Sequence, residues 1–247
     1  MEVYWLEQTE SDVPPGNEWL SGHEDILLAG LRIAKRRTDW RLGRWTAKCA
    51  VVAYLKLRPA VMAEIEISAR PSGAPQAIMA NGPAPVEISL SHSGGIAICA
   101  VAGPDAKIGC DLEAVEVHSP AFIRDYFTDS EQREIERAPA SRQPTLVAAL
   151  WSAKESALKT LQEGLRLDTR SVSVGLRGWA VEVERWYPLQ VDCENGDVFQ
   201  GWWLRADNRV RTMVARPEPA MPVLLPKSSF AGRRMEAQST FARPSSR

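Results

Sequence analysis

The sequence predicts an α+β fold, and three observations carry that expectation. Helical and strand-like stretches are both present, and the strands follow one another too closely for the crossovers of βαβ units. No internal repeat is visible. The 247 residues are 45% hydrophobic and 25% charged, an ordinary globular composition that excludes wholesale disorder and supports a core without staples. Thirty Lys and Arg against 31 Asp and Glu leave a net charge of −1, so no global field recruits nucleic acid or a membrane surface. Acidic residues near the start argue against a leader peptide, and the longest apolar run, Ile96 to Ala102, is too short to cross a bilayer. Four cysteines show no paired spacing and three histidines complete no zinc pattern. The chain is expected to be soluble, cytoplasmic and free of disulfides.

In order along the chain, residues 3–7 read as an opening strand, followed by a loop at Pro14-Pro15-Gly16. A helical stretch spans about Asp25 to Leu57, broken near Gly30. Its second part carries Leu42, Trp45, Cys49 and Val52 on one face, and Pro59 ends it. Glu64 to Ile67 alternates as a half-buried strand, whereas Pro71 to Pro85, with four prolines and two glycines, reads as loop. Strands follow at Val86–Ser91, Gly95–Ala102 and Lys107–Glu113. Thr128 and Glu131 have capping-box spacing for a helix through Arg137. A longer helix covers about Thr145 to Gln162, ahead of Gly164. Alternating segments at 170–175, 180–185, 198–204 and 209–215 complete the pattern, the last beyond an Asp207-Asn208 turn.

Four features carry chemistry. On a strand, Asp111 and Glu113 share one side while Cys110 and Leu112 share the other. Two carboxylates so placed repel unless one is protonated or a hard cation such as Mg²⁺ lies between them; the bland alternative is a solvated acidic strand face. Glu155 lies opposite the apolar stripe of Leu146, Leu150, Ala153, Ala157 and Leu161, with Trp151 and Lys159 one turn to either side. A tryptophan on that side argues that it too is covered, against the alternative of an ordinary surface Glu–Lys pair. Ser91, His92 and Ser93 end a strand beside Gly94-Gly95, where hydroxyls, imidazole and open N–H groups suit an anion. Between Arg32 and Lys48 stand seven cations against Asp39 alone, and Arg37, Arg41, Arg44 and Lys48 fall on one helix stripe. Such a stripe costs helix stability unless an anion compensates, and a phosphate-rich small molecule fits it better than nucleic acid, since no stacking platform accompanies it.

Taken in order, Ser91-His92-Ser93, Gly109-x-Asp111-x-Glu113 and Trp151-x-x-Lys154-Glu155-Ser156-x-x-Lys159 resemble the 4′-phosphopantetheinyl transferases of the Sfp type. Lys35-Arg36-Arg37-x-Asp39-Trp40-x-x-Gly43-Arg44 and the Ser72-Gly73-Ala74-Pro75 loop are similar to that family's N-terminal motifs. The likeness runs from about residue 30 to 175, with family-like strands to about 216. The family's loop commonly reads Gly-Lys-Pro, and Ala74 stands in the lysine's place, so that phosphate contact is missing or comes from the Arg32–Arg44 cluster.

The resemblance implies a holo-[acyl-carrier-protein] synthase type enzyme. It would move the 4′-phosphopantetheine group from coenzyme A to a serine of an apo acyl or peptidyl carrier protein and release 3′,5′-ADP. Asp111, Glu113 and Glu155 would hold Mg²⁺, or Mn²⁺, against the pyrophosphate. Arg32, Arg36, Arg37, Gly73, Ser91, His92 and Lys159 would bind coenzyme A. Glu155 would act as general base with Asp111 and Lys159 beside it, Lys159 neutralising phosphate charge. The implied architecture is a pseudo-twofold pair of α+β halves, residues 1–104 and 105–220, the second carrying the metal site. Independently of the resemblance, the Ser-, Ala- and Arg-rich composition of Lys227 to Arg247 reads as a disordered tail, set off from the second half as residues 221–247. A monomer acting on carrier proteins of fatty-acid, polyketide or nonribosomal-peptide synthesis is expected, with neither nucleic acid nor membrane as partner. The alternative is a non-catalytic homologue that binds coenzyme A or a carrier protein, which loss of a metal carboxylate would signal; all three are present. A glycosidase needs its two carboxyls across a sugar, farther apart than Asp111 and Glu113. The aromatic-rich stretch Ala121 to Ile135 is the expected carrier dock, or else simply core.

Overall fold

A computed structural model of the chain describes residues 1–162, 167–178 and 184–227. The fold is α+β. The first part contains β1 (Tyr4–Thr9), α1 (Gly22–Gly30), α2 (Ala34–Tyr54), β2 (Glu66–Ala69), β3 (Pro75–Met79), β4 (Gly82–Pro83), β5 (Glu87–Ser93) and β6 (Ile96–Ala102). The second contains β7 (Lys107–Ala114), α3 (Pro120–Tyr126), α4 (Asp129–Arg137), α5 (Gln143–Leu161), β8 (Val172–Leu176), β9 (Trp186–Cys193), β10 (Val198–Ala206) and β11 (Arg209–Arg216). The chain then returns as β12 (Val223–Leu224), which pairs in parallel with β1.

One sheet has the order β12-β1-β6-β5, a second β7-β11-β10-β9-β8, and β2-β3-β4 form a small third. Strand alternation sends residues of each large sheet to opposite sides. Leu6, Cys99 and Val101 join Trp45, Val51 and Val52 of α2 in one core, and Phe199, Trp203 and Val214 join Leu146, Leu150 and Ala157 of α5 in another. The remaining faces of both sheets meet in a third core, where Trp5, Ile98 and Ala100 contact Cys110, Leu112 and Met213. Arg211, nearly fully buried, clasps both Glu7 carboxylate oxygens at 2.6 and 2.9 Å and ties β11 to β1.

The two parts share a device that no sequence period reveals. Ser21 caps α1 and Thr128 caps α4, each in a capping box whose glutamate, Glu24 or Glu131, lies in the first turn. Each glutamate also takes a fully buried lysine from the long helix, Lys48 at 2.5 Å and Lys154 at 2.8 Å. Each accepts a strand N–H 43 residues on, from Ile67 and from Val174. Lys48 donates in addition to the Trp19 and Met62 carbonyls, and Lys154 to those of Thr169 and Val172. Burial pulls both lysine pKa values down, while the glutamates opposite them hold the charged form.

Several elements depart from the sequence-based expectation. The Pro/Gly-rich stretch from Pro71 to Pro85 contains β3 and β4, with Pro75 opening a strand and Pro83 on an edge, the two places where proline breaks no ladder. The α3 helix starts at a Ser119 cap with Pro120 in its first turn. The segment at 180–185 falls largely outside the described residues, and the observed strand begins at Trp186. Residues 221–227, expected within a tail, include β12, which the Val3 and Trp5 carbonyls hold through Val223 and Leu225 N–H groups. Among the described residues no helix is long and apolar enough to cross a membrane.

Candidate active site

The site forms where α5 crosses β7, and a glycine sets how closely they approach. A Cβ on Gly109 would overlap the Ser156 carbonyl oxygen and reach Thr160 Oγ1 at 2.6 Å. The facing side of α5 is a seam of small hydroxyl residues. Ser152 and Ser156 share hydrogen bonds with Thr212 of β11 at 2.9 and 2.7 Å, and Thr160 Oγ1 donates to the Ser156 carbonyl at 2.8 Å with the Val214 carbonyl 3.3 Å away. This seam fixes the roll of α5 and brings Glu155 and Lys159 onto the Asp111 side of β7. Sequence reading missed it; the i, i+4, i+8 spacing of Ser152, Ser156 and Thr160 opposite a glycine was the available signal.

Asp111 is 3% exposed, which excludes a solvated acidic face. Its Oδ1 accepts hydrogen bonds from Lys159 Nζ at 2.7 Å and from Ser91 Oγ at 2.8 Å. Lys159 Nζ also donates to the Cys110 carbonyl at 3.0 Å. Asp111 Oδ2 and Glu155 Oε1 are buried with no hydrogen-bond partner. Burial and the Asp111 charge raise the Glu155 pKa, with Lys159 opposing. Burial, then Asp111, push the Glu113 carboxyl up to about 7, against a hydrogen bond from Trp151 and the Lys159 charge. Burial disfavours the Lys159 ammonium, but Asp111, Cys110 and Glu155 together outweigh it and raise that pKa. Three carboxylates thus repel one another around one ammonium.

Among the described residues, no three histidine, cysteine or acidic side chains close on one another as a metal cage. The donor set nonetheless fits a hard divalent cation. Two buried carboxyl oxygens lack a donor, and Mg²⁺ is ordinarily held by few carboxylates, with water and substrate phosphates completing its shell.

Two cavities have Leu90 in common in their linings. One, of about 280 Å³, is lined by Ser72, Gly73, Glu87, Leu90, Lys159 and Gln162. The other, of about 460 Å³, is lined by Lys35, Arg36, Trp40, Arg44, Ser91 and His92. Arg44 stacks on Trp40 at 4.4 Å, and burial lowers its pKa. Gly73 and Lys159 line the first of these cavities, and Arg36, Ser91 and His92 line the second. Arg32 is exposed and lines neither cavity. Arg37 is committed to the end of α1, where its Nη1 donates to the Leu28 and Leu31 carbonyls at 2.7 and 3.1 Å. Arg41 likewise serves the carbonyls of Pro14, Pro15 and Gly16, and Lys48 serves Glu24. Three of the four stripe cations of α2 are thus compensated from within the chain, while Arg44 lines the second cavity together with Lys35 and Arg36.

Trp151 is half-buried against Phe122 and Tyr126 at 5.1 and 5.2 Å, so the Glu155 side of α5 is covered, as its tryptophan implied. Within the expected dock, Phe127 is 0% exposed and belongs to the core, whereas Tyr126 is 42% exposed.

Acidic groups around one lysine on β7 and α5 are compatible with chemistry at phosphate, and the same stretch of chain resembles known proteins. Residues 107–198 match the model of the 4′-phosphopantetheinyl transferase superfamily. That stretch contains Asp111, Glu113, Glu155 and Lys159, and the resemblance stated from the motifs is borne out there. Among individual proteins, the chain is similar to a 4′-phosphopantetheinyl transferase of Bacillus subtilis, 32% identical over 93 residues, covering 37% of this chain and 40% of that protein. It is also similar to 4′-phosphopantetheinyl transferase psf-1 of Bacillus pumilus, 32% identical over 88 residues, covering 36% and 37% of the two chains. The chain thus spans about two fifths of the length of the curated relatives it matches.

Proposed function

We propose that this chain transfers 4′-phosphopantetheine from coenzyme A to the serine of an apo carrier protein. One observation carries the reading: within the matched stretch, Asp111 and Glu155 present buried carboxylate oxygens without donors beside Lys159. Asp111, Glu113 and Glu155 would hold Mg²⁺, which when bound supplies charge compensation at the pyrophosphate. Lys35, Arg36, Arg44 and His92 bind and orient the phosphates of the nucleotide end, and Gly73 lets the 72–75 loop approach it. Glu155 takes the proton of the carrier serine, whose oxygen forms the new P–O bond as the bridging P–O bond breaks. Lys159 compensates the charge on the departing 3′,5′-ADP. Burial and the Asp111 charge both favour a proton on Glu155, which suits it to receive one.

The pseudo-twofold relation of two halves, 1–104 and 105–220, belongs to this reading, and the duplicated Glu–Lys device supports it. Intact mass of apo acyl and peptidyl carrier proteins after incubation with coenzyme A and Mg²⁺ tests the activity. A gain of one phosphopantetheine group is expected; binding of coenzyme A without any gain would mark a non-catalytic homologue.

Two further outcomes check the assignments. Arg36→Ala is expected to raise the KM for coenzyme A several-fold with kcat little changed, as lost uniform binding does. Arg37→Ala is expected to lower thermal stability with that KM intact, because its partners are the carbonyls of α1. At the carrier dock, Tyr126→Ala should raise the carrier KM and leave the coenzyme A KM unchanged. Phe127→Ala should instead cost about 3–5 kcal/mol of stability, the scale for truncating a buried phenylalanine, with both KM values intact in the folded fraction. Steady-state kinetics beside thermal melts separate these results.

A further inference from the structure

We propose that Ser91 is a positioning residue that the first half of the chain contributes to the carboxylate site of the second. Its hydroxyl fixes the Asp111 carboxylate so that Oδ2 is left free for a divalent cation. The inference rests on the metal reading above and changes the part Ser91 plays in it. Family likeness puts Ser91 among the groups that bind coenzyme A, and it does line the basic cavity. A hydroxyl has one proton to donate, and Ser91 donates it to Asp111 Oδ1 at 2.8 Å. That proton is then not available to a phosphate oxygen, which has none of its own to give when ionised.

The geometry around this bond makes it a fixed support. Two residues earlier on β5, Ser89 Oγ accepts the Cys110 N–H at 2.9 Å, and the Cys110 thiol donates to the Ser89 carbonyl at 3.1 Å. β5 and β7 are the facing edges of the two large sheets, so Ser91 stands on backbone anchored to the residue next to Asp111. Lys159, the other donor to Oδ1, reaches it on a long side chain. Two donors on Oδ1 leave Oδ2 buried without one. Outer partners that orient metal-ligating carboxylates commonly carry 10–100-fold in metal affinity. Ser91 also joins the nucleotide cavity to the acidic site in a single side chain.

The test titrates Mn²⁺ alone into the full-length protein and follows free Mn²⁺ by electron paramagnetic resonance. Wild type is expected to bind, and Asp111→Asn to lose binding. Ser91→Ala is expected to weaken Mn²⁺ affinity about 10–100-fold, with an unchanged melting midpoint in metal-free buffer. The isosteric pair Ser91→Thr and Ser91→Val guards against a folding defect: threonine should restore affinity and valine should not. At saturating Mn²⁺, the KM for coenzyme A should stay within about twofold of wild type in Ser91→Ala, as expected when no direct contact is lost. Wild-type Mn²⁺ affinity in Ser91→Ala or Ser91→Val overturns the proposal, and a raised coenzyme A KM alongside it would return Ser91 to the nucleotide. Equal Mn²⁺ binding by wild type and Asp111→Asn, or none by wild type, fails the metal reading itself and the proposal with it.

Discussion

On the proposed transfer reaction, Asp111→Asn is expected to lower turnover by about two to four decades, the scale of losing a well-placed catalytic charge. The substitution keeps the shape of the side chain and an acceptor for Ser91 and Lys159. It removes the charge that raises the Lys159 pKa and that repels Glu113 and Glu155. Folding should survive, because the core side of β7 is made by Cys110 and Leu112. Mg²⁺ should raise the melting midpoint of wild type through linkage and leave that of the variant unmoved. A near-normal rate in Asp111→Asn at ordinary Mg²⁺ would remove Asp111 from the centre of the site.

Glu131→Ala is expected to destabilise the fold by about 3–5 kcal/mol, because it leaves Lys154 buried without its counter-charge. In a chain of this size that corresponds to a fall of roughly 10 °C in melting midpoint. The Thr128 and Val174 N–H groups lose their acceptor at the same time. Replacing both partners, Glu131→Leu with Lys154→Met, should recover much of the loss, since well-packed apolar pairs often match buried ion pairs. Glu24→Ala should repeat the effect in the first half through Lys48. The Glu131 variant should also lose turnover per folded molecule, as Lys154 neighbours Glu155 on α5, whereas the Glu24 variant should not. A loss below about 1 kcal/mol, typical of exposed pairs, would show that Lys154 finds other compensation.

The outlines of the site were legible because its residues obey local rules. Strand alternation put Asp111 and Glu113 together, helix periodicity put Trp151 and Lys159 beside Glu155, and the Thr128–Glu131 capping box was readable from spacing alone. What those side chains meet across the fold was not legible. Glu131 reads as a cap, and its second partner Lys154 becomes visible only when α4 lies against α5. Four cations on one stripe of α2 suggested an external anion, yet Arg37, Arg41 and Lys48 answer to carbonyls and a carboxylate brought from elsewhere in the chain. Short elements were the other gap. β4 and β12 hold two residues each, and strands that short owe their existence to pairing, not to any pattern of their own.

By itself, then, the sequence determined the α+β class, the main helices and strands, and which acidic and basic residues share a strand or helix face. Those are matters of composition, of periods of 3.6 and 2, and of spacing within single elements. Only the tertiary structure decided that Gly109 admits α5 onto β7, that Ser91 reaches Asp111 across the two sheets, and that Phe127 is core while Tyr126 faces outward. These depend on contacts between residues far apart in the chain, where packing and the satisfaction of buried polar groups outweigh any local preference.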